Sequence, residues 1–208
     1  MALNSYSSLQ LSIADWLNRS DLTSQIPDFI SLAESQISRE LRHYKMIKSA
    51  TAGIDGQYSA TPSDWLETIR FHLNDTNKTL LQQTTVEEIA KLRQSSSDAQ
   101  GKPSHFSHTG DLIEVYRRPD TSYVGELLYY SKIPSLGATP GSDFNWLLTH
   151  APDCILYGSL LQAAPFLKDD ERIPVWGGIY QATINSLNGE SDNTRFSSSG
   201  LRLNINSY

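Results

Sequence analysis

His105 and His108 stand three residues apart, and Asp111 and Glu114 follow closely. Imidazole and carboxylate groups are zinc ligands, so this stretch is the first place to look for chemistry. The segment has the pattern of a strand or loop, however, and residues three apart on a strand point to opposite faces. A zinc-protease motif also needs a helix and a general-base glutamate, which are absent here. We therefore interpret these residues as polar loop residues, neither a metal site nor a paired acid and base.

Cys154 is the only cysteine, which excludes an intramolecular disulfide and a cysteine-based zinc site. It stands near the start of a predicted helix, but no partner histidine can be identified, and such a cysteine is usually a small buried hydrophobe. Asp169–Glu171 is interpreted as a helix cap, and Gly177-Gly178 lacks the context of a phosphate-binding loop. The sequence therefore predicts a protein that is not an enzyme and has no cofactor or metal.

Composition excludes other classes. The chain has 208 residues, of which 38% are hydrophobic and 19% charged, with a net charge of −6. This apolar content supports a folded core, and the negative charge argues against binding nucleic acid by phosphate neutralisation. No apolar run reaches the ~18 residues of a membrane span, and the N-terminus lacks the pattern of a signal peptide. We expect a soluble protein that is made in a reducing compartment and has no membrane contact.

Apolar residues recur at helical spacing near both ends of the chain. The pattern predicts two helices before residue 44, the second starting near Ile26. After the middle region it predicts two helices, the longer one opened by Pro152. A last helix starts at Asp170 or at Pro174, and Asn188-Gly189 is expected to end it.

The middle region, 44–135, alternates β-branched and aromatic runs with turn residues, which is typical of an antiparallel sheet. One hairpin is predicted around 53–56, and a second turn over 74–77. The strongest predicted hairpin pairs 111–117 with 123–132. A short helix and then a polar loop are predicted between the second turn and the last hairpin, and they complete the region.

These elements together predict an α+β fold. Residues 1–44 and 140–189 form a helical bundle from the N- and C-terminal helices. Residues 45–139 form an inserted antiparallel β-domain. Residues 190–208 form an extended C-terminal tail.

The tail carries more apolar residues than a polar terminus needs. Between 201 and 205, apolar and polar residues alternate at strand period, which suits addition to an exposed sheet edge. The tail could also fold back as a strand of its own domain. We favour docking on a neighbouring subunit or partner, through Phe196, Leu201, Leu203, Ile205 and Tyr208.

Three stretches resemble the head-to-tail adaptor proteins of short-tailed and related bacteriophages, the group that includes the tail tubular A-like proteins. The first is the helix Ile26–Ile37, continuing to Leu41-Arg42. The second is Ala60–Glu67, which resembles the segment that begins a strand in the family, where Pro, Asp and Glu occupy fixed positions. The third is a helical pair marked by Ala151–Gly158, Ala163–Leu167, Asp169–Arg172, Trp176 and Tyr180. Pro174 and Gly177-Gly178 depart from the family pattern and predict a break in the last helix.

The resemblance implies a non-enzymatic virion protein made in the host cytoplasm. Such adaptors form a homo-oligomeric ring, commonly dodecameric, beneath the portal protein of the capsid. The other side of the ring receives the tail nozzle or other tail proteins. DNA passes through the central channel without specific binding, and C-terminal extensions often dock on the portal.

A rival interpretation is a surface-recognition protein with a carbohydrate-binding β-domain. Its support is a set of tyrosines that could stack on sugars: Tyr116, Tyr123, Tyr129 and Tyr130. At alternate strand positions, such tyrosines more often form core and cross-strand pairs.

Overall fold

The computed structural model describes residues 3–19, 21–96, 100–137, 142–167 and 171–196. They form an α+β fold, as predicted, and the chain divides into two compact units, Met1–Met46 with Ile133–Tyr208, and Ile47–Lys132. The helices are α1 (Tyr6–Leu17), α2 (Ile26–Glu40), α3 (Val86–Ser95), α4 (Trp146–His150), α5 (Pro152–Gln162) and α6 (Ile173–Phe196). The strands are β1 (Ile47–Ile54), β2 (Tyr58–Ala60), β3 (Trp65–Leu73), β4 (Gln82–Gln83), β5 (His105–Thr109), β6 (Leu112–Tyr116) and β7 (Tyr123–Ser131). No described helix combines the length and apolar character that a membrane crossing requires.

The first unit, here called the helical unit, is organised around α5. This helix packs against α1, α2 and α6. Pro152 occupies the first turn of α5, where a missing N–H costs little. Cys154, Ile155 and Leu160 of α5 are completely buried. The amphipathic helices on either side therefore share one core.

The last helix is longer than the sequence predicts. α6 runs unbroken through Gly177-Gly178 and past Asn188-Gly189, so both the expected break and the expected end are wrong. The Asn188 side chain does not terminate the helix, because its Oδ1 accepts a 2.9 Å hydrogen bond from the Arg42 N–H. The buried stripe of α6 also continues past Asn188 to Ser191, after Trp176, Tyr180, Ile184 and Leu187. Tertiary packing therefore overrides the local stop signal.

The second unit, here called the β unit, holds two sheets. One has the order β1-β7-β3 and is antiparallel; the other has the order β2-β6-β5-β4, with β4 parallel to β5. Residues of both sheets share a core, in which the Phe71 and Phe106 rings meet edge to face at 5.3 Å. Gly125 is required there, because an added Cβ would lie 2.7 Å from side-chain atoms of Ile54 and Phe71.

Two predicted hairpins are wrong. The segment around 53–56 joins β1 to β2, and the segment around 117–122 joins β6 to β7. In each case the two joined strands belong to different sheets and do not pair with each other. Turn residues specify a change of direction, whereas the burial of each strand's apolar face decides its partner. Arg117, with φ 50°, adopts the left-handed conformation just after β6. The tight hairpin is β5–β6, turning through Gly110 with φ 59°.

Candidate functional site

The two histidines of the first candidate site lie in separate environments on β5. The His108 ring stacks on Trp65 at 4.5 Å, and its Nε2 lies 2.9 Å from Thr68 Oγ1. Burial lowers the pKa of His108. His105 Nδ1 instead lies 2.9 Å from the hydroxyl of Ser104. The structure therefore does not bring the two imidazoles together.

The two nearby carboxylates are separated as well. Asp111 is exposed in the β5–β6 turn, whereas Glu114 is buried on β6. Glu114 Oε1 lies 3.2 Å from Arg93 and accepts a 3.0 Å hydrogen bond from Gln57. Through these contacts Glu114 holds side chains of the β unit together, which is a structural role.

Cys154 is a core residue of α5. Its side chain is completely buried, and burial together with the nearby Asp153 raises the pKa of the thiol to about 12. A thiol in this environment stays protonated and is a poor nucleophile. The interpretation as a small buried hydrophobe agrees with this placement.

The tyrosines that supported sugar binding are mostly inaccessible. Tyr116, Tyr129 and Tyr130 are all buried. The Tyr129 hydroxyl donates a 2.8 Å hydrogen bond to Asp64, which holds the ring in the β unit. Tyr123 packs partly buried against the shared core. The carbohydrate interpretation therefore loses the stacking surface on which it rested.

A cluster missed by the sequence analysis lies in the helical unit. His43, His150 and Glu190 place one ligand-type atom each within 4.8 Å of one another. His150 Nε2 lies 3.0 Å from Glu190 Oε2, and this hydrogen bond lowers the pKa of Glu190. His43 is completely buried, which lowers its own pKa. The three residues come from distant parts of the chain, so no local motif could have indicated them.

A second missed feature is the buried carboxyl of Glu34 on α2. It is 6% exposed, and its Oε1 accepts a 2.9 Å hydrogen bond from the Leu136 N–H. Burial raises the pKa of Glu34 to about 7. Asn145 lies beside it, donating to the Pro134 carbonyl at 2.9 Å and capping the Leu148 N–H of α4 at 2.8 Å. Glu34 thereby holds the segment that leads into α4 against α2.

The helical unit exposes several large apolar side chains. Val175 and Ile179 lie one turn apart on α6, with 59% and 36% of their surfaces exposed. The others in this unit include Leu11, Trp16, Leu32, Phe144 and Phe166. Exposed apolar side chains on neighbouring turns are typical of surfaces that contact other proteins.

Most residues of the predicted tail lie outside the described residues. Phe196 is the last residue of α6, not part of an extended segment. Leu201, Leu203, Ile205 and Tyr208 are beyond the described part of the chain, as are Asp169 and Asp170 of the predicted cap. Their docking role stays a prediction.

The fold and its surfaces define a class. The protein is an α+β protein of two compact units, with exposed apolar side chains on several helices of the helical unit.

Comparison with known families assigns it more narrowly. Residues 4–203 match the family model described as SU10 adaptor protein, and the chain belongs to that family. No curated protein matches the sequence. The head-to-tail adaptor family inferred from the motifs is thereby confirmed. Membership supports a structural role as a phage adaptor and a location in the virion, and it argues for a non-enzymatic protein.

Proposed function

We propose that this protein is a head-to-tail adaptor that forms a dodecameric ring between the capsid portal and the tail nozzle or other tail proteins. The observation that carries the proposal is the family match over residues 4–203. The protein is made in the host cytoplasm and resides at the head–tail interface of the virion. The terminal helices act as a bundle that builds the ring.

The exposed apolar residues of the helical unit support subunit contacts. Leu11, Leu32, Val175 and Ile179 come from three helices, and each has a third or more of its surface exposed. A monomer gains nothing from this exposure, whereas burial between subunits stabilises a ring by ~25 cal/mol for each Å² of apolar surface covered. These residues support a contact between copies on this unit.

The net charge supports a passive channel. At −6 the subunit is acidic, and a ring multiplies that charge. Affinity for DNA depends on lysine and arginine side chains that replace counterions on the phosphates. A channel of this composition lets the genome slide without holding it.

The tail is proposed to dock on the portal or on a neighbouring subunit. It follows directly from Phe196 at the end of α6. On docking as a strand, Leu201, Leu203 and Ile205 would share one side, because side chains alternate along a strand. Main-chain hydrogen bonds to a sheet edge would supply affinity, and these side chains would fill its pockets.

The test compares two variants of the tail, one with three substitutions and one with two. Replacing Leu201, Leu203 and Ile205 with Ser removes the apolar side and should abolish binding to the portal protein. Replacing Arg202 and Asn204 with Ser changes the opposite side and should leave binding intact. Thermal midpoints should match the wild type in both. Loss of thermal stability in the first variant alone would instead mean that the tail folds back on its own domain.

A further inference from the structure

His43 presents an unsatisfied nitrogen inside the helical unit. Its side chain is completely buried and its ring stacks on Trp146, with centroids 5.1 Å apart and planes 14° from parallel. Within the described residues, His43 Nε2 has no hydrogen-bond partner. Its nearest carboxylate oxygen, Glu190 Oε2, lies 3.8 Å away, beyond hydrogen-bond distance. Buried polar atoms normally have a partner, so this nitrogen needs an explanation.

Two more donor groups converge on the same place. His150, at the end of α4, directs its Nε2 to Glu190 Oε2 at 3.0 Å. The donor atoms of His43, His150 and Glu190 all lie within 4.8 Å of one another. We propose that these three residues form a binding site for a divalent transition-metal ion, zinc above all. The proposal concerns the helical unit alone and does not rest on ring formation.

The donor set and its spacing suit zinc. Imidazole nitrogen and carboxylate oxygen bind zinc at about 2.0–2.2 Å, so two donors on one tetrahedral ion stand roughly 3.4 Å apart. The His43–Glu190 distance of 3.8 Å is close to this value. The separations, at most 4.8 Å, must close by up to about 1.4 Å, and His150 and Glu190 can move because their side chains are partly exposed to solvent. Water would complete the fourth position.

Lys45 is the feature that opposes metal binding. Its Nζ lies 3.3 Å from His150 Nδ1, and its backbone N–H lies 3.3 Å from His43 Nδ1. An imidazole that binds metal through Nε2 carries its proton on Nδ1, so it can no longer accept these bonds. The ammonium group also repels a cation. Because the Lys45 side chain is exposed, its ammonium group can swing into solvent when the ion enters, whereas the backbone N–H loses its acceptor and remains a cost of binding.

A bound ion would join three segments of the helical unit. His43 precedes β1, His150 ends α4, and Glu190 lies in the C-terminal part of α6. An ion that binds only the folded protein lowers the unfolding equilibrium constant by about a hundredfold when its concentration is a hundred times the Kd. The site would thereby fix the end of α6, from which the tail emerges.

The experiment is a calorimetric titration of the full chain with Zn²⁺, followed by thermal melts with increasing zinc. One ion should bind per chain, and the Tm should rise with the logarithm of the zinc concentration. Glu190→Gln and His150→Gln should each weaken binding by about tenfold or more. The matched controls Glu87→Gln and His105→Gln, both in the β unit, should bind as the wild type does.

Two further measurements sharpen the test. Lys45→Gln should bind zinc more tightly than the wild type, which a merely structural cluster would not show. Co²⁺ should give a visible absorption band in the wild type that is lost in Glu190→Gln. Absence of zinc binding by the wild type, or equal affinity in the wild type, Glu190→Gln and His150→Gln, would overturn the proposal.

Discussion

The Tyr180 hydroxyl donates a 2.8 Å hydrogen bond to Glu40 Oε2, which ties α6 to the last turn of α2. The ring of Tyr180 also packs on Gly158 of α5, where an added Cβ would lie 3.3 Å from the ring. Burial and the bond to Glu40 both raise the pKa of Tyr180, so the phenol stays protonated and able to donate. Three helices of the helical unit therefore meet at one tyrosine side chain, α2 at its hydroxyl and α5 at its ring.

Removing that hydroxyl should destabilise the helical unit. Tyr180→Phe keeps the ring but leaves Glu40 without this donor, at an expected cost of about 1.5 kcal/mol in the free energy of unfolding. Urea denaturation measures the change. Tyr157→Phe is the matched control, because Tyr157 lies on α5 and its ring contact with Trp16 needs no hydroxyl. Equal stabilities of the two variants would contradict the assigned bond.

The continuity of α6 can be tested at Gly189. This residue lies inside the helix, and an added Cβ would meet nothing within 4 Å. Alanine is favoured over glycine in a helix by roughly 0.8–1.0 kcal/mol, so Gly189→Ala should stabilise the protein by about that amount. If the helix instead ended here in a left-handed glycine cap, the same substitution would lower stability.

Glu34 should make stability fall as the pH rises towards neutrality. Its pKa is raised from 4.5 to about 7 in the folded protein, so the folded state holds a proton that the unfolded state has released. The stabilisation that Glu34 contributes is complete below pH 4.5 and is lost as the pH rises through 7, by about 3 kcal/mol in total. Urea denaturation at pH 5 and pH 8 measures the decline.

Glu34→Gln is the control for this pH dependence. It keeps an oxygen that can accept from the Leu136 N–H but cannot ionise. The difference in stability between the wild type and this variant should change with pH in the stated direction. A difference that stays constant from pH 5 to pH 8 would show that Glu34 does not titrate there.

The exposed side of α6 should matter for assembly but not for folding. Val175→Asp places a charge where a subunit contact is proposed, at a side chain that is 59% exposed. Exposed substitutions usually change stability by less than ~0.5 kcal/mol, so the Tm should stay near that of the wild type. The variant should no longer form a ring, and native mass spectrometry measures this loss. Ser186→Asp, at an exposed position on the same helix, should still assemble.

The long amphipathic helices were predictable because their information is local. Apolar residues at helical spacing and Pro27 in the first turn indicate α2, and its bounds match the prediction closely. The strand partners were not predictable in this way. The sequence around Pro119–Ser122 indicates a turn, but only the shared core of two sheets decides that β6 and β7 separate.

The same distinction applies to the candidate sites. The closely spaced His105 and His108 attract attention in the sequence, yet a strand sends them to different neighbours. His43 and His150 meet only because the packing of the helical unit brings α4 and the segment after α2 together with α6. The Asn188 stop signal fails for a similar reason, since a distant backbone N–H uses its side chain. Family motifs, which record many such long-range constraints together, carried the functional prediction.

The most direct test of the adaptor role is the native mass of this protein mixed with the portal protein from its own genome, with the protein alone as control. We expect a complex in which a portal ring carries a full ring of adaptor subunits. A protein that stays monomeric both alone and in the mixture would contradict it.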